Sequence, residues 1–234
     1  VCAGFFIFTL VDTLGKYLVG DYPKIQVMCI SSFFALCTMA IVISRRGGRQ
    51  VLKTNYPKLH LLRGVFNALT GGFSLMAMQT IQLDQLYAVV FTAPLVLTCA
   101  SALFLKEHVG WHRWMAVFCG VLTIFYMFRP GQDMWQIGAF YAFLSVCCYC
   151  ISMIIIRKMG PDENRLLFPI PGHLVTVLAV VAFVPNVYVA PDILDFGRMV
   201  LMGVLLALGT FCLASGFQRA ENSAVVAPFQ YSQL

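Results

Sequence analysis

The sequence predicts an all-α polytopic membrane protein, and three observations carry that expectation. Of the 234 residues, 60% are hydrophobic and 11% charged, against roughly 45–50% and about 25% in soluble domains. The apolar residues gather into long blocks, close to the roughly 20 residues a helix needs to cross about 30 Å of hydrocarbon. A β-barrel is excluded, because its strands alternate polar with apolar residues and run only about ten residues.

The elements follow in order. Eight complete spans are expected, at 1–19, 25–44, 61–81, 86–105, 114–128, 137–156, 166–184 and 199–217. A ninth begins near Ser223, and the chain stops inside it at Leu234. Trp111, Trp114 and Trp135 all fall at span ends, where an amphipathic ring sits best between headgroups and tails. The first span is apolar or small almost throughout, yet it carries Asp12 and Lys16. The seventh contains Pro169 and Pro171 beside Gly172 and His173, which either break the helix next to a cavity or delay its start until after Pro171. His173 itself reads as a packed or interfacial residue.

Basic residues orient the spans. Arg45, Arg46, Arg49, Lys53, Lys58, Arg63, Lys106, Arg113, Arg157, Lys158, Arg165 and Arg219 fall in the connections after even-numbered spans, twelve of the 16 lysines and arginines. Lys24, Arg129 and Arg198 fall on the other side, and Lys16 lies within a span. The positive-inside rule then places the even-to-odd connections and the N-terminus in the cytoplasm. The net charge of +6 is a topology signal, and nucleic acid need not be invoked.

Chemistry-bearing motifs are sparse. Every one of the nine cysteines lies in an apolar span; in Cys147-Cys148-Tyr149-Cys150, Cys148 points away from the other two on a helix, so the cluster alone forms no tetrahedral metal site. Packing by small polarizable side chains is the plainer role. Glu107-His108 with His112 lacks the third ligand and the base spacing of a zinc hydrolase. No Gly-rich phosphate loop or nucleophile elbow is visible. A membrane enzyme would need ionisable groups clustered at one depth, and only Asp12 and Lys16 lie deep in a span. No enzyme activity, metal or cofactor is expected.

A repeat organises the chain. Ala88-Val89-Val90-Phe91-Thr92-Ala93-Pro94-Leu95 is echoed by Ser223-Ala224-Val225-Val226-Ala227-Pro228-Phe229, and Gly71, Phe73 and Leu75 by Gly209, Phe211 and Leu213. The unit is five spans long, and an odd number inverts the second copy in the membrane. Inverted repeats are the architecture of secondary transporters, with the site near the midplane between the halves. The expected units are 1–130 and 131–234, the second cut within span nine. The partner of span five then falls near 250–264, so the sequence is expected to be part of a longer protein.

Thr92-Ala93-Pro94-Leu95, then Ala102-Leu103-Phe104-Leu105-Lys106-Glu107-His108-Val109-Gly110-Trp111, Gly120-Val121-Leu122 and Arg129-Pro130-Gly131 strongly resemble the EamA-type transporters of the drug/metabolite transporter superfamily. The resemblance implies ten helices in two inverted repeats of five, cytoplasmic termini, and a central cavity lined mostly by helices other than five and ten. It implies a small organic solute such as an amino acid, S-adenosylmethionine, a sugar or a drug, moved across a bacterial inner membrane by alternating access. A membrane-embedded receptor or scaffold on the same fold is the alternative, and a homodimer is left open. The arginine that many bacterial relatives carry in the second helix is absent, since Pro23-Lys24-Ile25-Gln26 is followed by no arginine before Arg45.

Mid-span polar and aromatic residues in the helices that the resemblance assigns to the cavity are Asn67, Tyr87, Thr92, Ser145, Tyr149, Thr210, Gln230 and Tyr231. Asp12 and Lys16 join them as substrate-binding candidates. A charge near the midplane costs about 2.5 to 3.5 kcal/mol on insertion scales, and a spacing of four puts both on one helix face. Three readings stay open: a structural pair, a Lys16 that snorkels away and leaves Asp12 to another partner, or a receptor for zwitterions in which Asp12 meets an ammonium and Lys16 a carboxylate.

Overall fold

The computed structural model describes residues 2–46, 48–104 and 137–219, with single positions between 105 and 136. All regular structure among the described residues is helical: α1 (Cys2–Asp21), α2 (Lys24–Arg46), α3 (Pro57–Thr80), α4 (Leu83–Val90), α5 (Ala93–Phe104), α6 (Ile137–Met159), α7 (Pro169–Val180), α8 (Val184–Val187) and α9 (Ile193–Arg219). Among the described residues, seven segments are long and apolar enough to cross a membrane: α1, α2, α3, Leu83–Phe104, α6, Arg165–Val187 and α9. The protein is a multi-pass membrane protein. Span nine of the sequence reading and most of span five, with Glu107, His108, His112, Trp114 and Trp135, lie outside the described residues, whereas Trp111 is exposed.

Local chemistry sets the helix ends and corrects several expected boundaries. Pro57 opens α3 near its first position and Pro169 opens α7, where the missing N–H would have no intrahelical partner anyway. Helix α7 therefore starts before Pro171, and the two prolines mark its beginning instead of a break. Asn164 accepts from the Leu166 amide at 3.1 Å, setting the 3₁₀ turn Arg165–Leu167 that leads into it. Gly160, with φ of +79°, follows the last residue of α6, a left-handed position that favours glycine.

The fourth span is two helices. Pro94 lacks an amide and would clash with the carbonyl of Val90, so α4 ends there and α5 restarts at Ala93 through a turn at Phe91 and Thr92. Helix α9 begins six residues before the expected 199, because Asp195 and Arg198 pair at 2.5 Å in its first turns. Hydropathy discounts those charges, while the positive end of the helix dipole favours Asp195.

Packing joins the two halves of the chain. α3 packs most extensively on α6 and also against α7, while α9 lies against both α1 and α2. Glycines permit the closest approaches: a Cβ on Gly64 would stand 2.8 Å from the Pro171 carbonyl oxygen, and small residues let membrane helices approach in this way. Outer faces carry Phe6, Phe33, Ile41, Phe140, Leu178 and Leu201 exposed, the apolar belt expected against lipid. Hydroxyls inside the bundle bond back to their own helices, as Ser31 to the Val27 carbonyl and Thr98 to that of Pro94, which removes the cost of an unpaired polar group. Cys147, Cys148 and Cys150 are free thiols on α6, and Cys150 faces the Ala93 carbonyl at 3.6 Å, a contact that packs α6 on α5.

Candidate functional site

A cavity of about 180 Å³ lies within the bundle, with walls from α1, α2, α3, α6, α7 and α9 and from the junction of α4 and α5. The helices supply it through polar stripes on otherwise apolar elements. On α3, Asn67, Thr70, Ser74 and Met78 follow one another at three- and four-residue steps and all line it, the spacing of a single helix face. Ser31 and Ser32 contribute from α2, and His173 and Thr176 from α7. The Ser145 hydroxyl donates to the Thr70 carbonyl at 3.0 Å, tying α6 to α3 at the wall.

Of the residues expected from sequence, Asp12, Asn67, Ser145, Tyr149 and Thr210 come together on this wall. Tyr87 stands behind it and donates its phenolic hydrogen to Asp12 Oδ2 at 3.1 Å. Its role is to hold the carboxylate. Thr92 is not on the wall, although Val90 and Ala93 beside it are; its hydroxyl is buried and has no partner among the described residues. Gln230 and Tyr231 lie outside the described residues.

Lys16 goes elsewhere. Its Nζ donates to the carbonyls of Met78 and Ile81 at 2.5 and 2.7 Å, and it does not line the cavity. The reason is the end of α3 at Thr80: the last carbonyls of a helix have no intrahelical donor, and the dipole there attracts a cation. Asp12 and Lys16 share a helix face, but the ammonium caps the neighbouring helix instead of closing an ion pair.

Among the described residues the site therefore carries one carboxylate, Asp12, amid hydroxyls, an amide, an imidazole and apolar side chains. Such a pocket can hold a small organic molecule, with a desolvated acid placed to meet a cationic group and neutral donors and acceptors to orient the rest. Toward the start of α3 the sequence reading passed over three buried residues: His173 lines the cavity, while Arg63 and His60 stand outside its lining, on the first turns of α3. His173 is 4% exposed, and its Nε2 has no partner among the described residues. Arg63, counted above as a loop charge, lies inside α3 at 0% exposure. It donates through Nη1 to the Phe168 carbonyl, with its guanidinium carbon 5.4 Å from the centroid of that ring. His60, one turn before Arg63, bonds Glu163 at 3.2 Å. A signal existed for Arg63, whose i+4 neighbour is Asn67 on the polar stripe; none marked His173 beyond its proline-flanked setting.

The sequence model of the EamA-like transporter family matches residues 1–129. An S-adenosylmethionine uptake transporter of Rickettsia bellii is 23% identical over 241 residues, covering 99% of this chain and 80% of the relative. A riboflavin transporter of Vibrio cholerae is 25% identical over 97% of this chain and 77% of its own. The pseudopaline exporter CntI of Pseudomonas aeruginosa is 24% identical, with 97% and 79% covered. One solved crystal structure shares the fold at a TM-score of 0.69 and 16% identity, over 98% of this chain and 83% of that one.

Proposed function

Because the chain belongs to the EamA-like transporter family, a family of small-molecule transporters and not of enzymes, we propose that it moves a small organic metabolite across a bacterial inner membrane as a secondary transporter working by alternating access. The observation that carries this reading is the mid-bundle cavity, built from both halves of the chain around the Asp12 carboxylate. Amino acids, S-adenosylmethionine and related solutes, and drugs are the substrate classes in view, and the names of the relatives support solutes of that size. Asp12, oriented by Tyr87, is the anchor for a cationic group on the substrate; Asn67, Ser145, Tyr149 and Thr210 orient the remainder. Gln230 and Tyr231 belong to the same proposal through the repeat.

The arrangement of ten helices as two inverted repeats of five, with units at 1–130 and 131–234, is part of the proposal. So is the cytoplasmic N-terminus. Basic residues in the last turns of α2, α6 and α9, namely Arg45, Arg46, Arg157, Lys158 and Arg219, support that orientation. Uptake by vesicles reconstituted with the full-length protein tests the reading, using radiolabelled S-adenosylmethionine, riboflavin and an amino-acid mixture, each as inward uptake and as counterflow. Counterflow of at least one solute, lost on Asp12→Asn, is expected. No flux of any solute in either direction would overturn transport and favour the receptor or scaffold.

A further inference from the structure

We propose that the cavity is a two-ended receptor: His173, backed by Arg63, takes a carboxylate at one end while Asp12 takes a cation at the other, so the solute is a zwitterion with its charges several bonds apart. The inference rests on reading this cavity as the transport site. It gives the anionic group of the substrate to residues that the sequence reading passed over, and it releases Lys16 from that role.

The anion end is built from buried groups with unused donors. His173 stands on the cavity wall with Nε2 unpartnered among the described residues. Arg63 sits one helical turn from Asn67, and its Nε and Nη2 also lack partners there. Its Nη1 is held by the Phe168 carbonyl, just before α7, and its neighbour Gly64 lies against the backbone of Pro171, two residues before His173, so the guanidinium backs the turn that carries His173. No described carboxylate lies within 4 Å of it; Glu163, the acid on this side, is bonded to His60 instead. A cation taken out of water without a counter-ion is costly, and an anion held at His173, on the cavity wall in front of the guanidinium, relieves that cost.

Packing fixes the place. Gly64 lies against the Pro171 backbone and Gly172 against the Asn67 side chain, so α3 and α7 hold Asn67 and His173 side by side. The other end is set by Gly15, whose nearest neighbours include Leu75 and Met78; Asp12, one turn earlier on α1, stands near the level of Ser74. Ser74 and Asn67 are seven residues apart, or roughly 10 Å at 1.5 Å per residue. The adjacent charges of a simple α-amino acid cannot span that distance. A solute with its cation several bonds from its carboxylate can.

The test uses purified full-length protein and two probe pairs that differ only by the carboxylate: S-adenosylmethionine with its decarboxylated form, and 5-aminopentanoate with pentylamine. Binding is read by ligand-induced thermal stabilisation and by competition. For at least one pair, wild type should prefer the carboxylate-bearing member. Arg63→Gln and His173→Gln should each weaken that member by roughly 10- to 100-fold and leave its carboxylate-free partner within about twofold; Arg63→Lys should recover part of the preference. If Arg63→Gln does not fold, His173→Gln and Arg63→Lys carry the comparison. Equal binding of both members of each pair by wild type overturns the proposal, as does a preference that survives both variants. Vesicles that take up riboflavin while neither pair binds would also overturn it and leave transport standing; absence of all flux would remove the underlying reading instead.

Discussion

At the residue scale, one lysine shows how a helix end outcompetes a local ion pair. Lys16 and Asp12 are four residues apart on α1, and a pair between them would satisfy both. The carbonyls at the end of α3 offer the ammonium two acceptors at 2.5 and 2.7 Å, while the Tyr87 hydroxyl serves the carboxylate at 3.1 Å. The two residues should therefore separate in function. Lys16→Gln is expected to lower thermal stability, on the order of 1 to 3 kcal/mol for two charge-assisted bonds, and to leave the KM of the transported solute within about twofold. Asp12→Asn keeps an acceptor for Tyr87 and removes the charge, so it should fold normally and raise KM for a cationic solute by tenfold or more. Melting curves and vesicle uptake on the same preparations decide it; a normal KM in the Asp12 variant would make that residue structural.

At the element scale, the spans were legible in the sequence because hydropathy and length are local properties. Six of the described segments match expected spans within a few residues at most ends. What was not legible came from chemistry that hydropathy ignores: the restart at Pro94, the proline start of α7, and the charged first turns of α9. The same holds for the site. Asp12, Asn67, Ser145, Tyr149 and Thr210 announced themselves as polar groups in apolar runs, whereas His173 became visible only when α3 met α7, and Arg63 left no more trace than its spacing from Asn67. That meeting is testable. At Gly64 an added Cβ would stand 2.8 Å from a backbone carbonyl, which cannot rotate away, so Gly64→Ala should cost about 1 to 3 kcal/mol. At Gly71, also on α3, nothing lies within 4 Å, and Gly71→Ala should leave stability unchanged. Equal melting temperatures for the two variants would show that the close approach of α3 and α7 contributes nothing.

At the scale of the whole molecule, the cavity lies between two sets of polar contacts at opposite ends of the bundle. At one end Gln26 exchanges two bonds with the Val189 backbone, at 2.7 and 2.9 Å, and Tyr22 reaches Asp195 at 2.9 Å. At the other, Gln218 donates to the carbonyls of Glu163 and Gly160 at 2.6 and 2.9 Å and accepts from Arg165 at 3.1 Å, beside the His60–Glu163 pair. Alternating access requires one set to part while the other holds, so weakening either set should bias the molecule toward opening at that end. A cysteine at Thr210 on the cavity wall, in a background cleared of the nine native cysteines, reports the opening through its reaction with a membrane-impermeant thiol reagent. Gln26→Ala should speed labelling from the side of the α1–α2 turn, and Gln218→Ala from the opposite side. Each should act by roughly 5- to 50-fold, since the loss of two bonds at Gln26 or three at Gln218 shifts a two-state balance by about that factor. Both variants speeding labelling from the same side would mean that these contacts merely stabilise the bundle and do not gate it.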